Sequence, residues 1–447
     1  MHINRQTESI LQIINFCLYV LTQIVLGIIS GTFYGYYAIL NTEKGFSASY
    51  VSYVASAAQF STLIIFITFP YVIGRGTHRM FYIIGSVGTA LSNMCLGCAP
   101  YYEPNWQFPF FNFSSMLIMA STSAIMGMSG YLIFVNSIPN FPGFSTSMLV
   151  SAGSIGFSLG PTLAQPFYNL GGYQLPIFFY ATIALVLSLV SITILFITGT
   201  KCDSNEETLT TYEEINDVDI ELNENITASK IRVTTLKRDF FHYCLIPTNL
   251  LIFCFQLTLL AQGQLITLQV SPYLVDYLNV KTKDLGNVFF IMNILQIINP
   301  PFYGYFMDKG YTVHLLFAQI SMLIFDGVLL VFTFYISIFK NLPTALFALM
   351  ILGAASTSSP QLYAMEQVAI NHGFTDRIDR KKYAYTYFTV TNGIAAIIMS
   401  NTVGGFVISD FGFHTSMIIA NFIQVFGVGI LALLFYCENM FRLIKLE

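Results

Sequence analysis

The sequence predicts an all-α membrane protein with twelve transmembrane helices, arranged as two pseudo-symmetric bundles of six. Only 9% of its 447 residues are charged and 55% are hydrophobic, whereas soluble domains carry about 25% charged residues. Apolar runs of about 20 residues recur along the whole chain, and each is long enough to cross about 30 Å of hydrocarbon. The runs are continuous and do not alternate with polar residues, which excludes a transmembrane barrel.

The predicted spans divide the chain into two halves and a linker. The first half covers 1–199, the charged linker covers 200–243, and the second half covers 244–447. Few linker residues are apolar or aromatic, so the linker is expected to be a flexible cytosolic segment. The spans are placed at 10–38, 48–73, 80–100, 108–137, 145–170, 174–199, 245–274, 285–306, 312–338, 343–368, 383–408 and 412–437.

The basic residues predict the orientation of these spans. With the N-terminus in the cytosol, all of the 19 Lys and Arg residues except four fall on the cytosolic side. This asymmetry follows the positive-inside rule and favours an even number of spans. Both termini are therefore predicted to be cytosolic, in either the plasma membrane or a vesicle membrane. The residues expected on the other side are Lys44, Lys281, Lys283 and Lys340.

The two halves carry related segments at corresponding positions. Residues 68–85 join spans two and three, and residues 299–316 join spans eight and nine. Residues 160–173 and 400–413 form a second pair. Parallel repeats of this kind are typical of transporters, with the substrate site between the halves near the middle of the membrane.

A glycine face is predicted in span five, within the stretch GSIGFSLGPTLAQPFYNLGG. Gly153, Gly156 and Gly160 are three and four residues apart, so they share one helix face and allow close helix packing. Pro161 lacks an N–H and is expected to bend the helix. The helix is expected to end at 171–172, and the glycine face to lie at an interface that moves during transport.

These motifs resemble those of the major facilitator superfamily. Gly304, Asp308, Lys309 and Gly310 match its loop motif, and the glycine face with Pro161 is similar to its fifth-helix motif. The resemblance implies a gate on the cytosolic side, with Asp308 at a helix start, where a carboxylate meets free N–H groups. The first-half copy of the loop retains basic residues at Arg75 and Arg79 but has no Asp.

Within that superfamily, the order and spacing of the motifs resemble the vesicular amine and polyamine transporter branch. The matching stretches include GYYAILNTEKGFSASYVSYV, YVIGRGTHRMFYIIGS and PPFYGYFMDKG, and they cover nearly the whole chain except 200–243. This resemblance implies export of organic cations in exchange for protons. A first-helix Asp of classical amine carriers has no counterpart here, since the polar groups of span one are Asn15 and Gln23.

Such an exchanger needs a carboxylate within the membrane, and few acids are available. Glu366 is predicted in the cytosolic third of span ten, in a helix where the amine branch carries an acid. Asp326 is predicted at the middle of span nine, where it serves either coupling or helix packing. The first half has acids only outside its spans. Amides and tyrosines complete the candidate cavity groups: Gln262, Gln269, Asn392, Tyr34 and Tyr37.

The sequence predicts a secondary transporter and no enzyme. It contains no phosphate-binding loop, no metal-ligand pattern and no basic patch for nucleic acid, so no cofactor or metal is expected. The expected partners are a small-molecule substrate, protons and the lipid bilayer, and a monomer is expected. The alternatives are a facilitator or symporter of a neutral or anionic metabolite on the same fold, and a non-transporting membrane sensor.

Overall fold

The structure is a computed structural model of the chain. It describes the following residues: 5–46, 50–72, 77–135, 137–138, 140–218, 243–254, 256, 279–281, 284–312, 314–316, 318–319, 321–322, 324–325, 342–355, 359–372, 374 and 377–397.

Six long helices make up the first half. They are α1 (Arg5–Glu43), α2 (Tyr50–Val72), α3 (His78–Gly97), α4 (Gln107–Phe134), α5 (Pro142–Gly171) and α6 (Gln174–Val218), with a short 3-10 turn at Ala99–Tyr101. Each begins and ends within a few residues of a predicted span, except at the ends of α1 and α6. Long apolar runs form helices here because hydrocarbon leaves the backbone no other hydrogen-bond partners.

Four helices lie in the described part of the second half. They are α7 (Leu285–Asp308), α8 (Leu342–Ala355), α9 (Ser359–Asn371) and α10 (Arg377–Ile397), and residues 247–254 are also helical. Helix α7 corresponds to predicted span eight, α8 and α9 to span ten, and α10 to the start of span eleven.

Five helical segments are long and apolar enough to cross a membrane. Within the described part of the chain they are Ile10–Tyr37, His78–Tyr101, Gln107–Phe134, Pro142–Gly171 and Gln174–Thr198. A shorter apolar segment, Tyr53–Thr68, lies in predicted span two. These findings confirm a helical membrane protein, and the count of twelve spans stays a prediction.

Helix α6 extends beyond the predicted membrane boundary. It continues through Val218, so the first part of the predicted linker is helical. Continuing an existing helix costs less free energy than starting one, which explains how this acidic stretch can be helical without a core of its own.

Helix contacts hold each half together and join the two halves. In the first half, α1 packs on α5 and α6, while α3 packs on α4 and α6. The halves meet where α5 contacts α7 and α9, and where α10 contacts α2 and α4. Apolar side chains such as Ile64, Leu189 and Phe196 are exposed on the outside, where lipid would cover them.

Candidate functional site

The glycine face of α5 packs against α1. A Cβ on Gly156 would collide with the Ile24 carbonyl oxygen, and one on Gly160 would come within 2.6 Å of the Ile28 carbonyl oxygen. On the α1 side, a Cβ on Gly27 would collide with the Gly153 carbonyl oxygen. Close packing at this face is thus confirmed. This contact lies within the first half, and movement at this interface during transport stays a prediction.

Helix α5 passes through Pro161 without interruption. The helix runs from Pro142 to Gly171, with Pro161 inside it. Gly172 follows with φ +67°, which confirms the predicted helix end. The Tyr36 hydroxyl donates to the Pro161 carbonyl at 3.0 Å, and the Tyr180 hydroxyl donates to the Leu163 carbonyl at 3.1 Å. Hydroxyls of neighbouring helices therefore bind carbonyls in the proline-containing stretch.

The N-terminus of α5 meets Asp308 of the second half. The backbone N–H of Gly143 donates to Asp308 Oδ1 at 2.6 Å, and that of Phe144 donates to Oδ2 at 3.1 Å. The first N–H groups of a helix have no partner inside it and carry its positive dipole end, so a carboxylate binds them strongly. The two halves are joined here by charge-assisted hydrogen bonds. We call this side of the bundle the Asp308 end.

The placement of Asp308 corrects one expectation. Asp308 is the last residue of its own helix, α7, and the helix start that it binds belongs to α5. Sequence alone showed a carboxylate suited to a helix start, but only packing of the halves brings a second helix to it.

The other loop-motif residues each have a defined place. A Cβ on Gly304 would approach Phe144 Cα to 2.6 Å, so this glycine allows the two helix ends to touch. Gly310 has φ +85° and ends α7, with the Tyr311 N–H donating to the Phe306 carbonyl at 3.0 Å, a helix-ending pattern that favours glycine. The exposed Lys309 points its Nζ at the Tyr305 ring, 5.7 Å from the centroid.

Hydroxyl groups of α5 continue the junction with the second half. Ser147 donates to the Pro300 carbonyl at 2.6 Å and to Ser359 Oγ at 3.0 Å. Ser158 donates to Gln296 Oε1 at 3.0 Å. Near the opposite end, the Thr162 hydroxyl donates to the Gly286 carbonyl. Individual polar bonds therefore hold α5 to the second half along its length.

Glu366 forms a buried ion pair near the Asp308 end. It lies on α9, is 9% exposed, and its Oε1 is 4.0 Å from the Nζ of Lys381 on α10. Lys381 is only 4% exposed. A buried charge is costly unless it is paired, so the two side chains form one electrically balanced unit. Glu366 lies five residues before the last residue of α9, and its place in the cytosolic third of a span stays a prediction.

Tyrosines from both halves lie beside this pair. The ring of Tyr131 on α4 stacks on that of Tyr385 on α10, with 4.4 Å between centroids. Tyr131 is 1% exposed and lies within electrostatic reach of Glu366. Tyr243 donates to the Met365 carbonyl at 3.1 Å. The first half thus contributes a buried tyrosine near Glu366.

The remaining candidate groups are scattered. Tyr34 is half-buried and near Gln59 and Phe157. Tyr37 is fully buried and stacks on Phe33 at 4.3 Å, so it belongs to the first-half core. Asn392 accepts a hydrogen bond from Gln256 Nε2 at 3.0 Å, which ties α10 to the helical residues near 250.

The two polar side chains singled out in span one, Asn15 and Gln23, are hydrogen-bonded inside the first half. Ser191 donates to Asn15 Oδ1 at 2.6 Å, and Gln23 Nε2 donates to the Tyr19 hydroxyl at 2.8 Å. Asn15 is 2% exposed. Asn15 and Gln23 therefore stabilise the first-half bundle.

Several predicted site residues lie outside the described residues, namely Asp326, Gln262, Gln269 and Arg75. Arg79 is described and is the second residue of α3. Sequence reasoning missed Lys381 and Tyr131, because one lies in a run of basic residues and the other is one of 27 tyrosines. Within the described ranges, no group of three His, Cys, Asp or Glu side chains could hold a metal.

Comparison with known proteins identifies the family. The family model of the Major Facilitator Superfamily matches residues 19–373, which includes both α5 and the loop after α7. None of the curated proteins matches the chain. Two helical halves joined by a carboxylate at a helix start accord with this match, and the chain belongs to the major facilitator superfamily of membrane transporters.

Proposed function

We propose that the protein is a secondary active transporter that exchanges a small organic cation for protons by alternating access between its two halves. The observation that carries this proposal is the buried Glu366–Lys381 pair at the Asp308 end. A carboxylate held away from water beside a separable interface can exchange its partner when that interface opens.

The junction between the halves supports alternating access. At the Asp308 end it depends on a few polar bonds, including those from Gly143, Phe144 and Ser147. Each such bond can be replaced by water once the helices separate, since net hydrogen-bond contributions are about 0.5–1.5 kcal/mol, or about 1.5–3 kcal/mol for charged groups. This end is closed in the structure and, by the predicted orientation, faces the cytosol.

A second function is favoured by the first half. Its acids, Glu8, Glu43 and Glu103, lie outside the predicted spans, and Asn15 is bonded within the bundle. Because Lys381 balances the charge of Glu366, the pair as a whole presents no net negative charge to attract a cation. A facilitator or symporter of a neutral or anionic metabolite on the same fold is therefore the alternative.

Reconstitution in liposomes distinguishes the two. With an acidic interior, we expect labelled serotonin or spermidine to accumulate, and Glu366→Gln to reduce the initial rate at least tenfold. Glu103→Gln is the matched control, because this exposed acid lies in the connection before α4, and it should transport normally. Unchanged proton-driven uptake by Glu366→Gln would contradict the coupling role.

The same assay addresses the other possibilities. Uptake of neutral or anionic solutes without cation uptake would support the facilitator or symporter. Ligand binding without transport of any tested solute would support a sensor. Protease accessibility of a C-terminal tag tests the predicted orientation, and a tag protected on the lumenal side would contradict it.

A further inference from the structure

Lys381 is buried, unlike a basic residue that merely flanks a membrane span. It lies in the run Arg380-Lys381-Lys382 at the start of α10, where the positive-inside rule predicts a solvated charge. Its side chain is instead turned into the protein and is almost fully buried, while the adjacent Lys382 is half-buried. Lysine is rarely buried unless it is paired, and the carboxylate of Glu366 lies 4.0 Å from its Nζ.

Both charges of this pair belong to the second half. Glu366 is on α9 and Lys381 on α10, and these helices contact each other directly. From the first half, Tyr131 lies within electrostatic reach of Glu366, and its ring stacks on that of Tyr385. When the halves separate at the Asp308 end, Tyr131 leaves with α4 and the ion pair becomes accessible to water.

We propose that Lys381 is an internal substitute for the transported cation, occupying Glu366 while the Asp308 end is closed and yielding it to a protonated amine when that end opens. This inference rests on the proposed cation–proton exchange. Lys381 thereby sets the apparent affinity for the substrate at the predicted cytosolic side.

The dielectric change explains why the exchange happens only in the open state. The attraction between two unit charges at a fixed distance falls about fourfold when the effective dielectric constant rises from about 20 to about 80. While both side chains are buried, Lys381 holds the carboxylate firmly. In contact with water it is held weakly, and a cation from solution competes on nearly equal terms.

The chemistry of lysine also indicates the class of substrate. Its ammonium is a compact point charge with three N–H donors on a flexible stem, so it can swing aside without backbone movement. A group that replaces it needs a similar head. We therefore expect primary and secondary ammonium ions to be preferred over quaternary ammonium ions, which have no N–H to donate.

Two substitutions at Lys381 should shift the apparent affinity in opposite directions. In proteoliposomes, Lys381→Met removes the competitor and should lower the half-saturating serotonin concentration about fivefold. Lys381→Arg retains the charge and binds carboxylates through two N–H groups, so it should raise that concentration about fivefold. Lys382→Met is the matched control and should behave as the unmodified protein does.

The outcomes separate this inference from the proposed function. If the unmodified protein takes up neither serotonin nor spermidine, the proposed exchange itself is wrong. If it transports them but Lys381→Arg has an unchanged half-saturating concentration, the substitute-cation role is wrong. Lys381→Arg keeps the pair intact, so this test remains decisive even if Lys381→Met, which leaves a buried carboxylate unpaired, does not fold. Equal half-saturating concentrations for tetraethylammonium and serotonin would overturn the preference for ammonium ions with N–H groups.

Discussion

The two faces of α5 hold their neighbours in different ways. Towards α1, Gly156 and Gly160 bring backbone against backbone over several turns. Towards α7 and α9, polar groups at Gly143, Ser147 and Thr162 make separate hydrogen bonds. Given about 100° of rotation per residue, the two sets point to opposite sides of the helix. The comparison teaches that α5 is held to its own half mainly by shape, whereas its contact with the other half combines close packing at Gly304 with breakable polar bonds.

The largest effect is expected on the glycine face. Gly156→Ala drives a methyl group into the Ile24 carbonyl, which is backbone and cannot swing aside, so we expect a cost above the range of about 1–3 kcal/mol that is typical of overpacking. We expect a clear drop in the thermal unfolding midpoint in detergent. Gly153→Ala is the matched control, because its Cβ meets nothing within 4 Å. Equal midpoints for the two variants would show that the glycine face is not tightly packed.

The next largest effect is expected at Asp308. Asp308→Asn removes the charge that binds the Gly143 and Phe144 N–H groups, and hydrogen bonds to charged groups contribute about 1.5–3 kcal/mol. Hydrogen–deuterium exchange of a peptide covering 142–149 should become roughly tenfold faster or more. Lys309→Gln, which alters an exposed side chain beside Tyr305, should leave the exchange rate unchanged. Comparable acceleration by both variants would contradict a specific role for the carboxylate.

Ser147 should give a smaller change in the same direction. Ser147→Ala removes the bonds to Pro300 and Ser359, each contributing about 0.5–1.5 kcal/mol. Exchange of a peptide covering 296–304 should rise several-fold. Ser145 is also buried but its hydroxyl has no hydrogen-bond partner, so Ser145→Ala should be neutral or slightly stabilising. A loss of protection in Ser145→Ala instead would show that burial, not bonding, matters at this junction.

The smallest effect is expected from a single hydroxyl on the α1 side. Tyr36→Phe removes the bond to the Pro161 carbonyl and should destabilise the protein by about 1 kcal/mol, without faster exchange at the Asp308 end. Tyr37→Phe is its control, since the Tyr37 hydroxyl is buried without a partner. The thermal unfolding midpoint should fall for the first variant only. Faster exchange of peptide 142–149 in Tyr36→Phe would mean that the two faces of α5 are coupled.

The sequence predicted the helices well because their signal is local. An apolar run flanked by polar residues defines a membrane helix wherever the rest of the chain lies, and α2, α3, α4 and α5 begin and end close to the predicted limits. The ends of α1 and α6 were not predicted, since a helix that is already formed continues into polar residues at little cost.

The site was predicted only in part because its partners are distant in sequence. Glycine spacing predicted a close-packing face, but not that α1 would be the helix packed there. The loop motif singled out Asp308, but the N–H groups that it binds lie about 165 residues earlier, in α5. Glu366 was chosen for its rarity in a span, and its pairing with Lys381 could not be read from a run of basic residues.

By itself, the sequence determined that this protein lies in a membrane, that it is helical, and which residues have unusual chemistry. It could do so because hydropathy, periodicity and residue type act locally. Tertiary structure alone decided which surfaces those residues meet. The face of Gly156 became a fixed contact within one half, Asp308 became a bond between halves, and Lys381 became the partner of Glu366. The physical reason is that burial and pairing of polar groups depend on which helices pack together, and that choice is made by the whole bundle.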